Sequence, residues 1–150
     1  MNDIRDLYQE VILDHGTRPR NFHPMKDASH QAEGFNPLCG DRITLYLRLE
    51  GDRVLEASFE GVGCAISKAS ASLMTSALKG MTREEAETLF TKFHEMLTGE
   101  RGGPIAEEVL GKLAVFSGVC EFPARVKCAT LAWHTFHAAL ERKEGTVSIA

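Results

Sequence analysis

The stretch "RITLYLRL", residues 42–49, alternates polar and apolar side chains without a break. Ile43, Leu45, Leu47 and Leu49 fall on one side, and Arg42, Thr44, Tyr46 and Arg48 on the other. A period of two is the pattern of a strand with one buried face and one wet face. "EGDR" (50–53) follows as a tight turn, and Val54 to Phe59 read as the returning strand. A two-stranded ribbon is marginal in water by itself. Its apolar face therefore dictates the rest of the fold, because something must be laid across it. A third strand near Gln31 to Phe35 would widen the sheet.

The covering layer is legible as helices. Ile4, Leu7, Tyr8, Val11 and Ile12 recur at helical spacing, and "HGTRPRNFHP" (15–24) breaks the pattern. A second helix is expected over 65–79, with Ile66, Ala69, Leu73 and Ala77 inward and Gly80 at its stop. Thr82 with Glu85 three residues on has the form of a capping box, opening a helix to about Leu97. "TGERGGP" (98–104) reads as a loop, 105–116 as a short helix and "SGVCEFP" (117–123) as another loop. The last helix runs from Pro123 to Arg142, with the stripe Val126, Ala129, Trp133, Phe136 and Leu140. The tail "KEGTVSIA" (143–150) reads as loose. No repeat or linker divides the chain, so residues 1–150 read as one domain. The expected class is α+β: a small antiparallel sheet of about three strands packed against helices.

Charge narrows the function. Seventeen Lys and Arg against 21 Asp and Glu leave a net charge of −4, which argues against a general nucleic-acid binder. No apolar run approaches the ~20 residues of a membrane span. The opening "MNDIRDLYQE" is too charged for a secretory leader. A cytoplasmic location is the expectation, and thiols stay reduced there. Cysteines then read as metal-binding or catalytic before they read as disulfides.

The four cysteines, Cys39, Cys64, Cys120 and Cys128, all sit near breaks in the pattern, with no C-x-x-C pair among them. Small buried thiols are the plain alternative. Three local features favour a metal. Asp41 follows Cys39 across Gly40, and a turn centred on Gly lets both side chains converge. Gly61 and Gly63 free the backbone before Cys64, and the helix beyond offers its N-terminal dipole to a thiolate. Arg125 and Lys127 flank the approach to Cys128, and cations also favour thiolates. Three thiolates and one carboxylate are an acceptable tetrahedral zinc set. Its net negative charge would be offset by Arg125 and Lys127, and Arg125 could pair with Asp41 or with a partner's surface.

"GFNPLCGDRI", "FEGVGCAISKASASLM" and "FPARVKCATLAW" together resemble the U-type iron–sulfur assembly proteins. "LYQEVILDHGTRPRNF" resembles their N-terminal helix and its Pro-Arg-Asn turn. The match runs from about Leu7 to Trp133. It implies the family's α+β fold, with its three cysteines at Cys39, Cys64 and Cys128 and its aspartate at Asp41. The IscU-type branch has a histidine directly before the third cysteine, where this chain has Lys127. The SufU-type branch has a basic residue there and a longer segment between the second and third cysteines. "MTREEAETLFTKFHEMLTGERGGP" resembles that longer form.

The SufU-type resemblance implies a zinc-bound sulfur acceptor. It would take persulfide sulfur from a pyridoxal-phosphate (PLP)-dependent cysteine desulfurase of the SufS type and pass it to a downstream iron–sulfur scaffold. Cys39 is the candidate nucleophile, because a turn residue can swing out while Cys64 and Cys128 are tied to helices. Whether the protein counts as an enzyme, a zinc-dependent sulfurtransferase, stays open. One alternative is a scaffold carrying iron or a [2Fe–2S] cluster; another is a structural zinc-binding interaction module. A cysteine hydrolase ranks below these for want of a placed histidine base. Cys120 reads as a bystander. His134 and His137, three apart on the last helix, read as solvated or core-edge residues. His15 ends the first helix, where an imidazolium would complement the dipole; the resemblance, whose family has a histidine there too, implies a partner contact as the alternative.

Overall fold

The structure, a computed structural model, describes residues 4–98, 110–141 and 146–148, with side chains from Tyr8 to Glu141 except those of Cys120 and Glu121. In chain order the elements are α1 (Ile4–Thr17), β1 (His30–Asn36), β2 (Asp41–Glu50), β3 (Arg53–Val62), α2 (Ala65–Leu78), α3 (Arg83–Thr98), a 3-10 helix (Gly111–Glu121), α4 (Pro123–Leu140) and β4 (Thr146–Ser148). The sheet order is β3-β2-β1-β4.

The hairpin forms as the alternation requires. Leu45 pairs with Phe59 and Leu47 with Ala57, and Gly51 turns the chain in the left-handed region at φ 61°. Ile43, Leu45, Leu47, Val54, Ala57 and Phe59 are buried. β1 joins β2 antiparallel and contains the third strand expected at Gln31 to Phe35.

Two expectations are corrected. Residues 146–148 of the tail are not loose: they form β4, parallel to β1, with Val147 opposite Gly34. Thr-Val-Ser is too short to declare a strand alone, and its pairing groups come from the free edge of β1. Residues 143–145 and 149–150 of the tail, and Arg142 at the expected end of the last helix, lie outside the described residues. The segment after Phe116 is not a loop either, because the 3-10 helix runs on to Glu121. Leu113, Phe116 and Val119 recur every third residue and are all buried. A three-residue turn puts them on one face. The loop 98–104 and the start of the short helix fall mostly outside the described residues.

The capping box is formed in both halves: Glu85 N–H donates to Thr82 Oγ1 at 3.2 Å, and Thr82 N–H donates to Glu85 Oε1 at 2.9 Å. α4 is the central helix. It is buried nearly all round from Cys128 to Leu140, so its apolar stripe understates what it covers. It crosses β1 at Gly34, where a β-carbon would collide with Thr135. Trp133 stacks on Phe93 of α3 with ring centroids 4.7 Å apart.

One polar bracket ties α4 to α2, the two helices that carry Cys128 and Cys64. Ser70 Oγ donates to the Ala129 carbonyl at 2.5 Å and accepts the Trp133 indole N–H at 3.2 Å. Both groups are fully buried. Ser70→Ala strands the indole donor, which costs about 1–3 kcal/mol. The melting temperature should fall by about 2–4 °C for each kcal/mol. Calorimetry showing an unchanged melting temperature would contradict this bracket. No helix among the described residues is long and apolar enough to cross a membrane.

Candidate metal centre

The first side of the centre is the β1–β2 turn. The Asn36 carbonyl accepts the N–H groups of Cys39 at 3.3 Å and Gly40 at 2.8 Å, and its Oδ1 accepts the Leu38 N–H at 3.2 Å. Gly40 closes the turn at φ 75°, a conformation glycine adopts freely. Cys39 is left exposed at the tip. Asp41, the first residue of β2, is fully buried at its foot.

The second side is the junction of β3 and α2. Cys64 is the N-cap residue of α2, and its sulfur accepts the Ser67 N–H at 3.4 Å. Its own N–H donates to Asp41 Oδ1 at 2.9 Å, and its sulfur stands 3.9 Å from Asp41 Oδ2. The positive end of the α2 dipole thus faces a thiol. The glycines before it are steric requirements. A β-carbon at Gly61 would collide with the Arg42 carbonyl, and one at Gly63 would lie 2.7 Å from Asp41 Oδ1. Gly63→Ala should therefore displace the carboxylate and weaken zinc binding about tenfold, the scale of damage to groups that orient a ligand. Chelator competition showing wild-type affinity would contradict it.

The third side is the second turn of α4. Cys128 is 4% exposed, and its Sγ lies 3.5 Å from Cys39 Sγ and 3.6 Å from the Ala124 carbonyl. The donor atoms of Cys39, Asp41 and Cys128 all lie within 4.8 Å of one another. Cys64 adjoins this group through Asp41.

The chemistry of this set calls for a cation. Burial pushes the Cys128 thiol well above its usual range, and the neighbouring Cys39, Cys64 and Asp41 push it further. Among the described residues no Lys or Arg side chain pairs with the buried Asp41 carboxylate. Clustered anions in a dry site are costly unless a positive charge joins them. Three sulfurs and one carboxylate oxygen suit zinc or a thiolate-bound iron centre. Arg125 is exposed and Lys127 half-buried, so both stand beside the site without making the Arg125–Asp41 pair that sequence suggested.

The other candidates lie elsewhere. His15 is buried, with Nδ1 2.7 Å from Ser72 Oγ. Burial, then the Arg20 and Lys112 charges, hold its pKa below the usual value and disfavour an imidazolium at this helix end, where the ring clasps α1 to α2. His134 and His137 are half-buried around Phe90, and His137 Nε2 meets Glu141 Oε1 at 3.0 Å. That is the core-edge placement. The Cys120 side chain lies outside the described residues. Sequence reasoning missed Asn36, which shapes the turn. The only signal available was Asn directly before Pro37 and Leu38, and Asn commonly bonds backbone two residues on.

Residues 7–141 match the NifU-like N-terminal domain family. The chain is 44% identical over 143 residues to the zinc-dependent sulfurtransferase SufU of Bacillus subtilis, with 95% of each chain covered. It is 38% identical over 142 residues to the iron–sulfur cluster assembly scaffold protein IscU of Streptococcus pyogenes, covering 95% of this chain and 87% of that one. A candidate SUF-system assembly scaffold from Fervidobacterium islandicum AW-1 superposes with a TM-score of 0.83 at 36% identity, over 92% of this chain and 99% of that one. The matched span contains Cys39, Asp41, Cys64 and Cys128, and the chain belongs to the NifU-like N-terminal domain family.

Proposed function

We propose that this protein serves iron–sulfur cluster assembly as a zinc-bound sulfur acceptor, with Cys39, Asp41, Cys64 and Cys128 as the donors to one zinc ion. The observation that carries this reading is the openness of the cluster: Cys39 at the turn and Cys64 at the head of α2 are exposed, while the carboxylate and the Cys128 thiol beside them are buried, and of the two exposed thiols only Cys39 stands on a turn. A purely structural zinc site would be closed on all sides. When bound, zinc supplies the positive charge that keeps the thiolates deprotonated at neutral pH.

The partner is a PLP-dependent cysteine desulfurase of the SufS type, which carries a persulfide on its own cysteine. The Cys39 thiolate attacks the terminal sulfur of that persulfide. A new S–S bond forms at Cys39, the desulfurase S–S bond breaks, and the desulfurase cysteine leaves as a thiolate. Cys39 becomes the persulfide, whose sulfur passes to a downstream iron–sulfur scaffold. Asp41 stays anchored by the Cys64 N–H while the turn residue moves. Arg125 and Lys127 present positive charge at the approach.

A second reading, the scaffold that builds a [2Fe–2S] cluster on the same residues, is favoured by the IscU relatives at similar length. Metal analysis of protein purified without oxygen separates the two. One zinc per chain without colour, and faster turnover of a cognate desulfurase, support the acceptor. Iron with labile sulfide and no stimulation support the scaffold.

A further inference from the structure

Asn36 and Asp41 face each other at the last rung of the β1–β2 pairing, and both are fully buried. Asn36 Oδ1 is committed to the Leu38 N–H, which fixes which end of the amide is oxygen. The remaining group, Nδ2, is buried and has no hydrogen-bond partner among the described residues. Asp41 has the complementary deficit. Its carboxylate can accept about four hydrogen bonds, yet among the described residues it accepts one backbone N–H, from Cys64, and its other close neighbours are thiols. Residues directly opposite on paired strands hold their β-carbons about 4.5–5.5 Å apart. A small rotation of either side chain therefore brings the unused donor to the under-served acceptor.

We propose that Asn36 is a positioning residue for Asp41: its Nδ2–H donates to the Asp41 carboxylate and orients it toward the thiols, while its two acceptors shape the turn that exposes Cys39. One side chain thus couples the placement of the attacking thiol to that of the carboxylate beside it. Ligating carboxylates are ordinarily held by such outer partners, and losing one typically costs 10–100-fold in metal affinity. The inference rests on the reading of Asp41 as a zinc donor.

Asn36→Asp is the discriminating variant. An aspartate keeps an oxygen for the Leu38 N–H and leaves the backbone acceptor untouched, but it replaces the donor facing Asp41 with a second acceptor. A residue that only builds the turn would tolerate it. Zinc affinity should be measured by chelator competition on the zinc-loaded protein. Asn36→Asp and Asn36→Ala should each weaken it about tenfold or more, and Asn36→Ala should have no further effect when Asp41 is already alanine. Wild-type affinity in Asn36→Asp, or an equal loss from Asn36→Ala with and without Asp41, would overturn the inference. Wild-type affinity in Asp41→Ala alone would instead overturn the donor reading beneath it.

Discussion

Cys39→Ser leaves the protein folded and abolishes sulfur acceptance. The side chain is exposed, so its replacement by a slightly smaller hydroxyl opens no cavity. The turn is held by Asn36 and Gly40 backbone geometry and not by the thiol. A hydroxyl with a pKa far above neutrality provides no nucleophile for a persulfide, so stimulation of the desulfurase should drop to the background of free thiols. The melting temperature of the metal-free variant should match wild type. Retained stimulation would remove Cys39 from its assigned role.

Cys128→Ser has its largest effect on metal. This thiol is nearly buried, sits on the most deeply packed helix and lies against Cys39. Serine is a poor zinc donor at neutral pH, and among the described residues no spare ligand stands at this site to replace it. The loss should exceed the ~10–100-fold typical of an outer-partner defect. It also reaches stability. A ligand bound only to the folded state at 1,000 times its dissociation constant stabilises by about 4.1 kcal/mol. Zinc addition should therefore raise the melting temperature of wild type markedly and that of Cys128→Ser hardly at all. Cys64→Ser should behave similarly in metal binding, with the α2 cap retained, because serine is itself a favoured N-cap residue. Wild-type zinc retention in both variants would dismiss the donor assignment.

The parts of this fold that sequence makes legible are those governed by local rules. The alternation of 42–49 survives as β2 because one face is buried, and the Thr82–Glu85 box is formed atom for atom. Pro123 opens α4 as its fixed φ favours. What local rules cannot show is who meets whom. β4 exists because β1 has a free edge, and the 3-10 helix shows only as a three-residue period inside an apolar run. His15 looks like a helix-end cation until α2 buries it against Ser72. The site divides in the same way. Gly40 and Gly63 point to Cys39, Asp41 and Cys64 from neighbouring residues, and the geometry explains both glycines. The approach of Cys128 to Cys39 is a tertiary event between a turn and a distant helix. Only the likeness of the three cysteine segments to the U-type proteins anticipates it. Asn36 and Ser70 were invisible because a polar residue declares its partner only once it is buried.

In the proposed reaction, sulfur arrives on the exposed thiol of the turn. The direct test is to incubate the zinc-loaded protein with a cognate desulfurase and cysteine, then map the added sulfur by mass spectrometry of non-reduced peptides. One extra sulfur should appear on the peptide carrying Cys39 and none on those carrying Cys64, Cys120 or Cys128. Sulfur on any of those three with Cys39 unmodified would contradict it.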